Sequence, residues 1–221
     1  MWNNLRVTTV IPAHNEAATI AGVVRSCMAH ARVIVVDDGS SDITGDLARE
    51  AGAEVVRNHP GRGYDGALQS GFVRALELGF EAVITLDADG QHDPDLLPAF
   101  VEPLGSGRAD LVLGVRPRPA RFGEWLFCQW GRLSFNAPDL LCGMKGYRMQ
   151  LFEEHGRFDG CRSVGTELAV WALRAGRSFA LVPVPIRPRL DAPRFGNRLR
   201  ANWRLLTALW RVAVARADQR K

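Results

Sequence analysis

The sequence predicts an α/β protein: a mostly parallel sheet with helices on both faces, followed by a C-terminal amphipathic helix. Three observations carry this expectation. Short apolar runs rich in β-branched residues alternate with helical segments of about 10–15 residues, and such alternation builds βαβ units around a parallel sheet. The chain has 221 residues, 47% apolar and 24% charged, enough for one filled core. Three successive apolar runs end in polar or acidic turns, at Asn15-Glu16, Asp37-Asp38 and Asp87-Asp89. Parallel strands place such ends along one sheet edge, where open α/β sheets bind ligands.

Taken in order, Arg6 to Pro12 (RVTTVIP) reads as a strand, and Ala13-His14-Asn15-Glu16 as the polar turn after it. A helix is expected over Glu16 to Ala29 and a second strand over Ala31 to Asp37. Ser41 or Asp42 then caps a helix that Gly52 closes. Ala53 to Arg57 is a short strand, and the loop from Asn58 to Gly63 leads into a helix over Asp65 to Leu78. A buried strand at 82–87 is followed by Asp93 and Pro94, the cap and first-turn proline of a helix near 94–104. Asp110 to Gly114 is the next strand.

The second half is less regular. Arg121 to Ser134 reads as a helix with Phe122, Trp125, Leu126, Gln129, Trp130 and Leu133 on one side, a stripe expected to be core. Pro138 to Arg148 is a glycine-interrupted loop or strand. Val164 to Ala175 is a helix ended by Gly176, Phe179 to Pro185 a strand, and the segment from Asn197 a long helix.

The stretch Val83-Ile84-Thr85-Leu86-Asp87-Ala88-Asp89-Gly90-Gln91-His92-Asp93-Pro94 organises the rest. Two carboxylates spaced i, i+2 at a strand end, with an amide nearby, are hard oxygen donors suited to a divalent cation that grips phosphates. A solvated acidic turn is the plain alternative. An EF-hand does not fit, because its glycine and glutamate positions hold His92 and Pro98. The histidines His14, His59 and His92 on the expected site loops read as solvated polar residues rather than ligands.

The net charge of +4 is uneven. From Arg194 onward there are eight basic residues against the single acid Asp218, a balance of +7 that leaves −3 for the rest. Leu199, Trp203, Leu206, Trp210, Ala213 and Ala217 form an apolar stripe on that helix. Tryptophans on an apolar stripe between basic flanks suit an interfacial membrane helix, and packing of the stripe on the chain's own sheet is the competing account. The four cysteines form no C-x-x-C pair and no zinc spacing, so reduced thiols are expected. The sequence shows no signal peptide and no run of about 18 apolar residues, so no membrane span is expected. The basic residues gather on one terminal helix with no nucleic-acid-binding motif, which excludes that partner.

These pieces together resemble family 2 glycosyltransferases of the GT-A (Rossmann-like) fold, and among them the polyprenyl-phosphate (dolichol-phosphate) mannose or glucose synthases. Val10-Ile11-Pro12-Ala13-His14-Asn15-Glu16 is similar to the family's V-I-P-x-Y-N-E, with histidine in the tyrosine place, and Val36 to Asp42 matches V-D-D-G-S-x-D. Gly61-Arg62-Gly63 resembles G-K-G, and Asp87 to Pro94 matches the metal motif throughout. Gly114-Val115-Arg116 resembles G-S-R, and Asp139 with Cys142-Gly143-Met144-Lys145 resembles D-x-x-C-G-[FM]-[KR].

The resemblance implies an inverting, metal-dependent hexosyltransferase that moves mannose or glucose from a GDP- or UDP-hexose to a polyprenyl phosphate. It implies catalytic roles for Asp87, Asp89, Arg116 and Glu167, and Mg²⁺ or Mn²⁺ on Asp89, Gln91 and Asp87. Substrate contacts fall to Pro12, Ala13, Asn15, Glu16, Asp37, Asp38, Arg62, Gly63, Ala88, Asp139, Lys145 and Arg194, with Asp38 reading the base. One domain is expected over residues 1–221, with a nucleotide-sugar half (1–116), an acceptor-side half (117–196) and the basic helix (197–221). The place implied is cytoplasmic, peripheral on the inner membrane face, with a membrane-protein partner conceivable.

Relatives with hydroxyl acceptors carry E-D near Glu167, where this chain has Glu167-Leu168, so the sequence leans toward a phosphate acceptor. Only 22 residues separate Arg116 from Asp139, a trimmed acceptor loop. Three other readings stand beside this one. The first is transfer to a hydroxyl in cell-envelope glycan or glycolipid synthesis, with Glu167 as base. The second is a nucleotide-sugar-binding subunit that needs a partner. The third, a dehalogenase-type phosphoryl transferase, needs D-x-D-G on the first strand, and here it follows the fourth.

Overall fold

The computed structural model of the chain describes residues 5–119, 121–187 and 198–214. The strands are β1 (Val7–Ala13), β2 (Arg32–Asp37), β3 (Glu54–Arg57), β4 (Ala82–Thr85), β5 (Leu111–Val115), β6 (Lys145–Arg148) and β7 (Phe179–Pro183). They form one sheet in the order β3-β2-β1-β4-β6-β5-β7. The helices are α1 (Ile20–Met28), α2 (Thr44–Glu50), α3 (Gly63–Glu77), α4 (Leu97–Gly105), α5 (Phe122–Phe135), α6 (Met149–His155), α7 (Glu167–Arg174) and α8 (Arg198–Val214).

The expected βαβ half is present. β1 pairs in parallel with β2 and β4, and β2 with β3. Residues alternate between faces, as the period of a strand requires. Val10, Ile34 and Val36 pack with Leu68 and Phe72 of α3 on one side. Ile11, Val33 and Val35 pack with Val24 and Cys27 of α1 on the other. At the expected α4 start, the Asp93 side chain accepts from the Asp95 N–H, and Pro94 opens a short 3₁₀ turn that runs into the helix.

The second half departs from the parallel plan. β6 runs antiparallel between β4 and β5, and β7 then extends the sheet in parallel with β5. Glycine-rich Pro138 to Arg148, open between loop and strand in the sequence, thus supplies an internal strand over its last four residues. Helix α6 has no counterpart among the expected elements.

Two helix faces differ from those expected. In α5 the buried residues are Gly123, Glu124, Phe127, Cys128 and Gly131. Of the expected stripe Trp130 packs against the core, but Phe122 is 64%, Trp125 45% and Leu133 89% exposed. In α8 the face turned inward is Ala208 and Val212, with Leu209 beside them, while Trp203 and Trp210 are exposed. The tryptophan stripe therefore stays outside, and a different stripe joins the core, with α8 packed against α5. Among the described residues no helix is long and apolar enough to cross a membrane, and all four cysteines are free thiols.

Candidate functional site

The ends of β1, β2 and β4 lie along one sheet edge. The N–H of Asp38 donates to the Ala13 carbonyl, and the N–H of Leu86 donates to Val10, so the turns after all three strands rise side by side. Beyond them opens a cavity of about 570 Å³. Of the residues expected at the site, Pro12, Ala13, Glu16, Asp38, Gly63, Asp87, Ala88 and Asp89 line it. A second cavity of about 330 Å³ shares Tyr64, Asp87, Asp89 and Arg204 with the first and adds Gln91, Arg116, Arg121 and Glu124.

Asp87 is the hinge between the two. Its Oδ1 accepts from the Tyr64 hydroxyl at 3.1 Å, and its Oδ2 lies 3.7 Å from Nδ1 of buried His92. That nitrogen has no hydrogen-bond partner, and Cys142 Sγ lies 4.0 Å from the other ring nitrogen. On the remaining side the chain passes at Gly143, where an added Cβ would stand 2.1 Å from Oδ2. Burial, and next to it the Asp87 charge, push the Tyr64 phenol well above its ordinary range, so it stays a proton donor to Asp87. Asp89 Oδ1 accepts from the Gln91 N–H at 3.1 Å, which closes the turn. The Gln91 side-chain amide donates to the Arg187 carbonyl at 3.5 Å, so its own amide oxygen is not used in that bond. Three oxygen-bearing side chains at one strand end are the donor set that Mg²⁺ or Mn²⁺ takes.

The other expected residues serve their neighbours more than the cavities. Asp37 is buried, takes the Ser40 N–H and pairs with Arg57. Asn15, at φ 53°, accepts from the Ser41 N–H and holds the first turn to the second. Asp38 Oδ1 accepts from the Asn58 amide and the Arg62 N–H, and its Oδ2 from the Gly63 N–H. Asp38 thus clamps the loop over which Arg62 runs, with both carboxylate oxygens engaged.

Arg116 lies in the second cavity's wall, fixed from behind. It makes two side-chain bonds to buried Asp139, at 2.7 and 3.0 Å, and approaches buried Glu124 at 3.3 Å. Burial opposes its charge, but the Asp139 bonds outweigh that and hold the guanidinium above its ordinary range. Asp139 also takes the N–H groups of Leu141 and Cys142 and lines neither cavity. Lys145 is fully enclosed, donates to the Gly165 carbonyl at 3.2 Å, and has its pKa lowered by burial.

Glu167 stands apart, lining neither cavity. Its Oε1 meets His155 Nε2 at 3.1 Å and Arg157 Nε at 2.7 Å, and its Oε2 accepts from the N–H groups of Gly160 and Cys161. Burial works to raise its pKa, but the bonds from His155, Arg157 and the loop N–H groups prevail and hold it well below the usual carboxylate range. Glu167, expected among the catalytic residues, is thus found with both oxygens engaged, holding the 156–166 loop from a position that lines neither cavity. Asp159, Cys161 and Glu167 come close enough to suggest a metal cluster. Asp159, however, takes the Cys161 and Ser163 N–H groups, so the group reads as a loop staple. Arg194 lies outside the described residues.

Sequence reasoning missed Tyr64, Arg121, Glu124 and Arg204. Tyr64 follows the G-R-G segment by one residue and gave a usable signal. Arg204 gave none, since it sat among arginines assigned to a membrane face.

Comparison with known proteins bears on this arrangement. The sequence profile of glycosyl transferase family 2 matches residues 8–164. The undecaprenyl-phosphate mannosyltransferase of Micrococcus luteus is 34% identical over 204 residues, covering 81% of this chain and 83% of that protein. The polyprenol monophosphomannose synthase of Mycolicibacterium smegmatis is 29% identical over 172 residues, or 67% of this chain and 64% of that one. Among solved structures, glucosyl-3-phosphoglycerate synthase of Mycobacterium tuberculosis with Mn²⁺ and UDP-glucose superposes with a TM-score of 0.72. It is 24% identical and covers 95% of this chain and 80% of its own.

Proposed function

The chain belongs to glycosyl transferase family 2, and from that premise we propose that it transfers a hexose, mannose or glucose, from a nucleoside diphosphate sugar to a polyprenyl phosphate. One observation carries the choice of acceptor. The second cavity, which meets the donor cavity at Asp87 and Asp89, is lined by three arginines, Arg116, Arg121 and Arg204. Arginines recognise phosphate with a planar fork of donors. The carboxylates near it are Asp87 and Asp89 of the expected metal motif and Glu124, whose oxygens face Arg116 at 3.3 Å and Arg121 at 3.1 Å.

The chemistry follows from these placements. The nucleoside lies over Pro12, Ala13 and Glu16, with the Asp38 clamp holding the wall opposite. An oxygen of the acceptor phosphate forms a bond to the anomeric carbon as the bond from that carbon to the β-phosphate oxygen breaks. The nucleoside diphosphate leaves with the electron pair, and the sugar inverts. Phosphate is already ionised near neutral pH, so no proton has to be removed, which agrees with the sealed position of Glu167. Asp89, Gln91 and Asp87 would hold Mg²⁺ or Mn²⁺, which neutralises charge growing on the departing diphosphate. Tyr64 keeps Asp87 oriented, and Asp139 keeps Arg116 extended toward the second cavity.

The acceptor's lipid tail sets the enzyme against the inner face of the membrane. Phe122 stacks on Trp125 at 5.8 Å, and with Leu133, Trp203 and Trp210 they are the large apolar side chains that α5 and α8, the helices that supply Arg121, Glu124 and Arg204 to the second cavity, leave exposed. Aromatic residues with basic neighbours are what an anionic bilayer surface retains. The test is transfer from GDP- and UDP-hexoses, with Mn²⁺, to polyprenyl phosphate and to the free polyprenol. Product on the phosphate alone, abolished by EDTA, is expected. Transfer to the alcohol at an equal rate would overturn the phosphate reading.

A further inference from the structure

We propose that Arg204 of the C-terminal helix is a substrate-binding residue that stands between the donor diphosphate and the acceptor phosphate and contacts both. The inference rests on the glycosyltransfer reading above and adds to it a residue from a helix otherwise explained by the membrane.

Four observations place it. Arg204 lines both cavities, as do Tyr64, Asp87 and Asp89, and it is the residue that brings a positive charge to both linings. The helix that carries it is fixed over the site. The Gly123 N–H donates to Asn202 Oδ1 at 3.3 Å, and a Cβ at Gly123 would stand 3.2 Å from the Leu205 Cβ, so the close approach of α8 to α5 uses the missing side chain. Arg204 makes no ion pair among the described residues, although its charge reaches Asp65. Finally, the other arginines of the second cavity have carboxylate partners, Arg116 with Asp139 and Arg121 with Glu124.

A guanidinium without a carboxylate partner among the described residues, placed where two anionic groups must meet for the reaction, has its partner in the substrates. Its fork offers bonds to two phosphates at once, which a lysine ammonium does with less geometric control. Bringing two anions together is the main electrostatic obstacle to this transfer, and a shared cation lowers it in the ground state and in the transition state. The terminal helix thus forms a wall of the active site.

The experiment uses the full chain with three substitutions: Arg204→Gln, Arg204→Lys, and Arg25→Gln on α1, which removes the same charge from a helix lining neither cavity. Calorimetry with Mn²⁺ gives affinities for GDP, UDP and their nucleosides. Steady-state kinetics with a short, water-soluble polyprenyl phosphate gives both KM values without involving vesicles. Arg204→Gln is expected to weaken diphosphate binding by about tenfold or more and to raise both KM values, with nucleoside binding unchanged. Arg204→Lys recovers part of the loss, and Arg25→Gln matches the parent. Unchanged diphosphate affinity and KM values in Arg204→Gln overturn the proposal. So does an equal loss of nucleoside affinity with a lowered Tm, since that identifies a packing role. If the parent itself binds no nucleoside diphosphate, the glycosyltransfer reading falls, and Arg204 with it.

Discussion

Replacing Gly143 by alanine tests the site without altering any group expected to touch substrate. An added Cβ would stand 2.1 Å from Asp87 Oδ2, 2.7 Å from its Cγ and 2.8 Å from Oδ1. Ordinary contact begins near 3.4 Å, so the oxygen must retreat by about 1.3 Å. Asp87 is a short side chain with little room to do so, because Tyr64 bonds one oxygen and buried His92 flanks the other. A displacement near 1 Å of a positioning group costs roughly a hundredfold in rate. Gly143→Ala is therefore expected to lower kcat/KM by about that factor and to weaken Mn²⁺-dependent binding of the nucleoside diphosphate. Its Tm should fall little, since the strain falls on one half-buried carboxylate outside the apolar core. Steady-state kinetics, calorimetry with and without Mn²⁺, and a thermal melt read the three quantities in turn. Parental kinetics in a folded Gly143→Ala protein would show that Asp87 has no fixed place in the reaction.

Three further outcomes are expected. Burial, and after it the nearby Asp159, raise the Asp65 carboxyl to about 6, so its folded-state advantage is complete below pH 3.8 and lost as pH rises through about 6. Asp65→Asn, whose amide oxygen still accepts from the Gly165 N–H, should therefore gain on the parent by up to about 3 kcal/mol between pH 3.5 and pH 7 in urea melts; a pH-independent difference refutes this. Glu167 is shifted the other way, so its contribution is present above its ordinary value of 4.5 and is lost as pH falls through the lowered one. Glu167→Gln should cost about 3 kcal/mol at pH 7 and less in acid, and equal stability at pH 7 would remove its anchoring role. Trp203→Ala with Trp210→Ala should lower co-sedimentation with anionic vesicles by about tenfold or more while shifting stability by under about 0.5 kcal/mol, and a collapse of the Tm would show that the pair is packed.

The parallel first half, residues 7–115, was legible because its signals are local. The β-branched runs 33–36 and 82–85 are short, buried on both faces and bounded by turns, and each turn carries the carboxylates that later line the cavity. The same turns hid which carboxylates face outward. Asp37 and Asp38 are adjacent in sequence, yet the first pairs with Arg57 beneath the edge while the second reaches the cavity wall. Only the three-dimensional course of the 58–63 loop distinguishes them. Antiparallel β6 was obscured for a similar reason: Lys145-Gly146-Tyr147-Arg148 has no apolar run, and it is buried because its neighbours on both sides, β4 and β5, are already strands.

Helix α8 shows where periodicity reaches its limit. Its sequence supports two apolar stripes, Trp203-Leu206-Trp210-Ala213 and Leu205-Ala208-Leu209-Val212, both at helical spacing. Hydrophobicity alone favours burying the tryptophans. The structure takes the other stripe: α5 meets α8 at Gly123, where Asn202 and Leu205 come within 3.2–3.4 Å of where a Cβ would stand, and Ala208 and Val212 join the core. With the smaller stripe inward, the tryptophans are left exposed, as Phe122 and Trp125 are on α5, and Arg204 lines the crevice. The packing of α8 thus leaves Trp203 and Trp210 exposed and Arg204 in the lining of both cavities, the arrangement that the proposed lipid-phosphate acceptor requires. An acceptor held at the bilayer by its tail would arrive with its phosphate already facing the sugar.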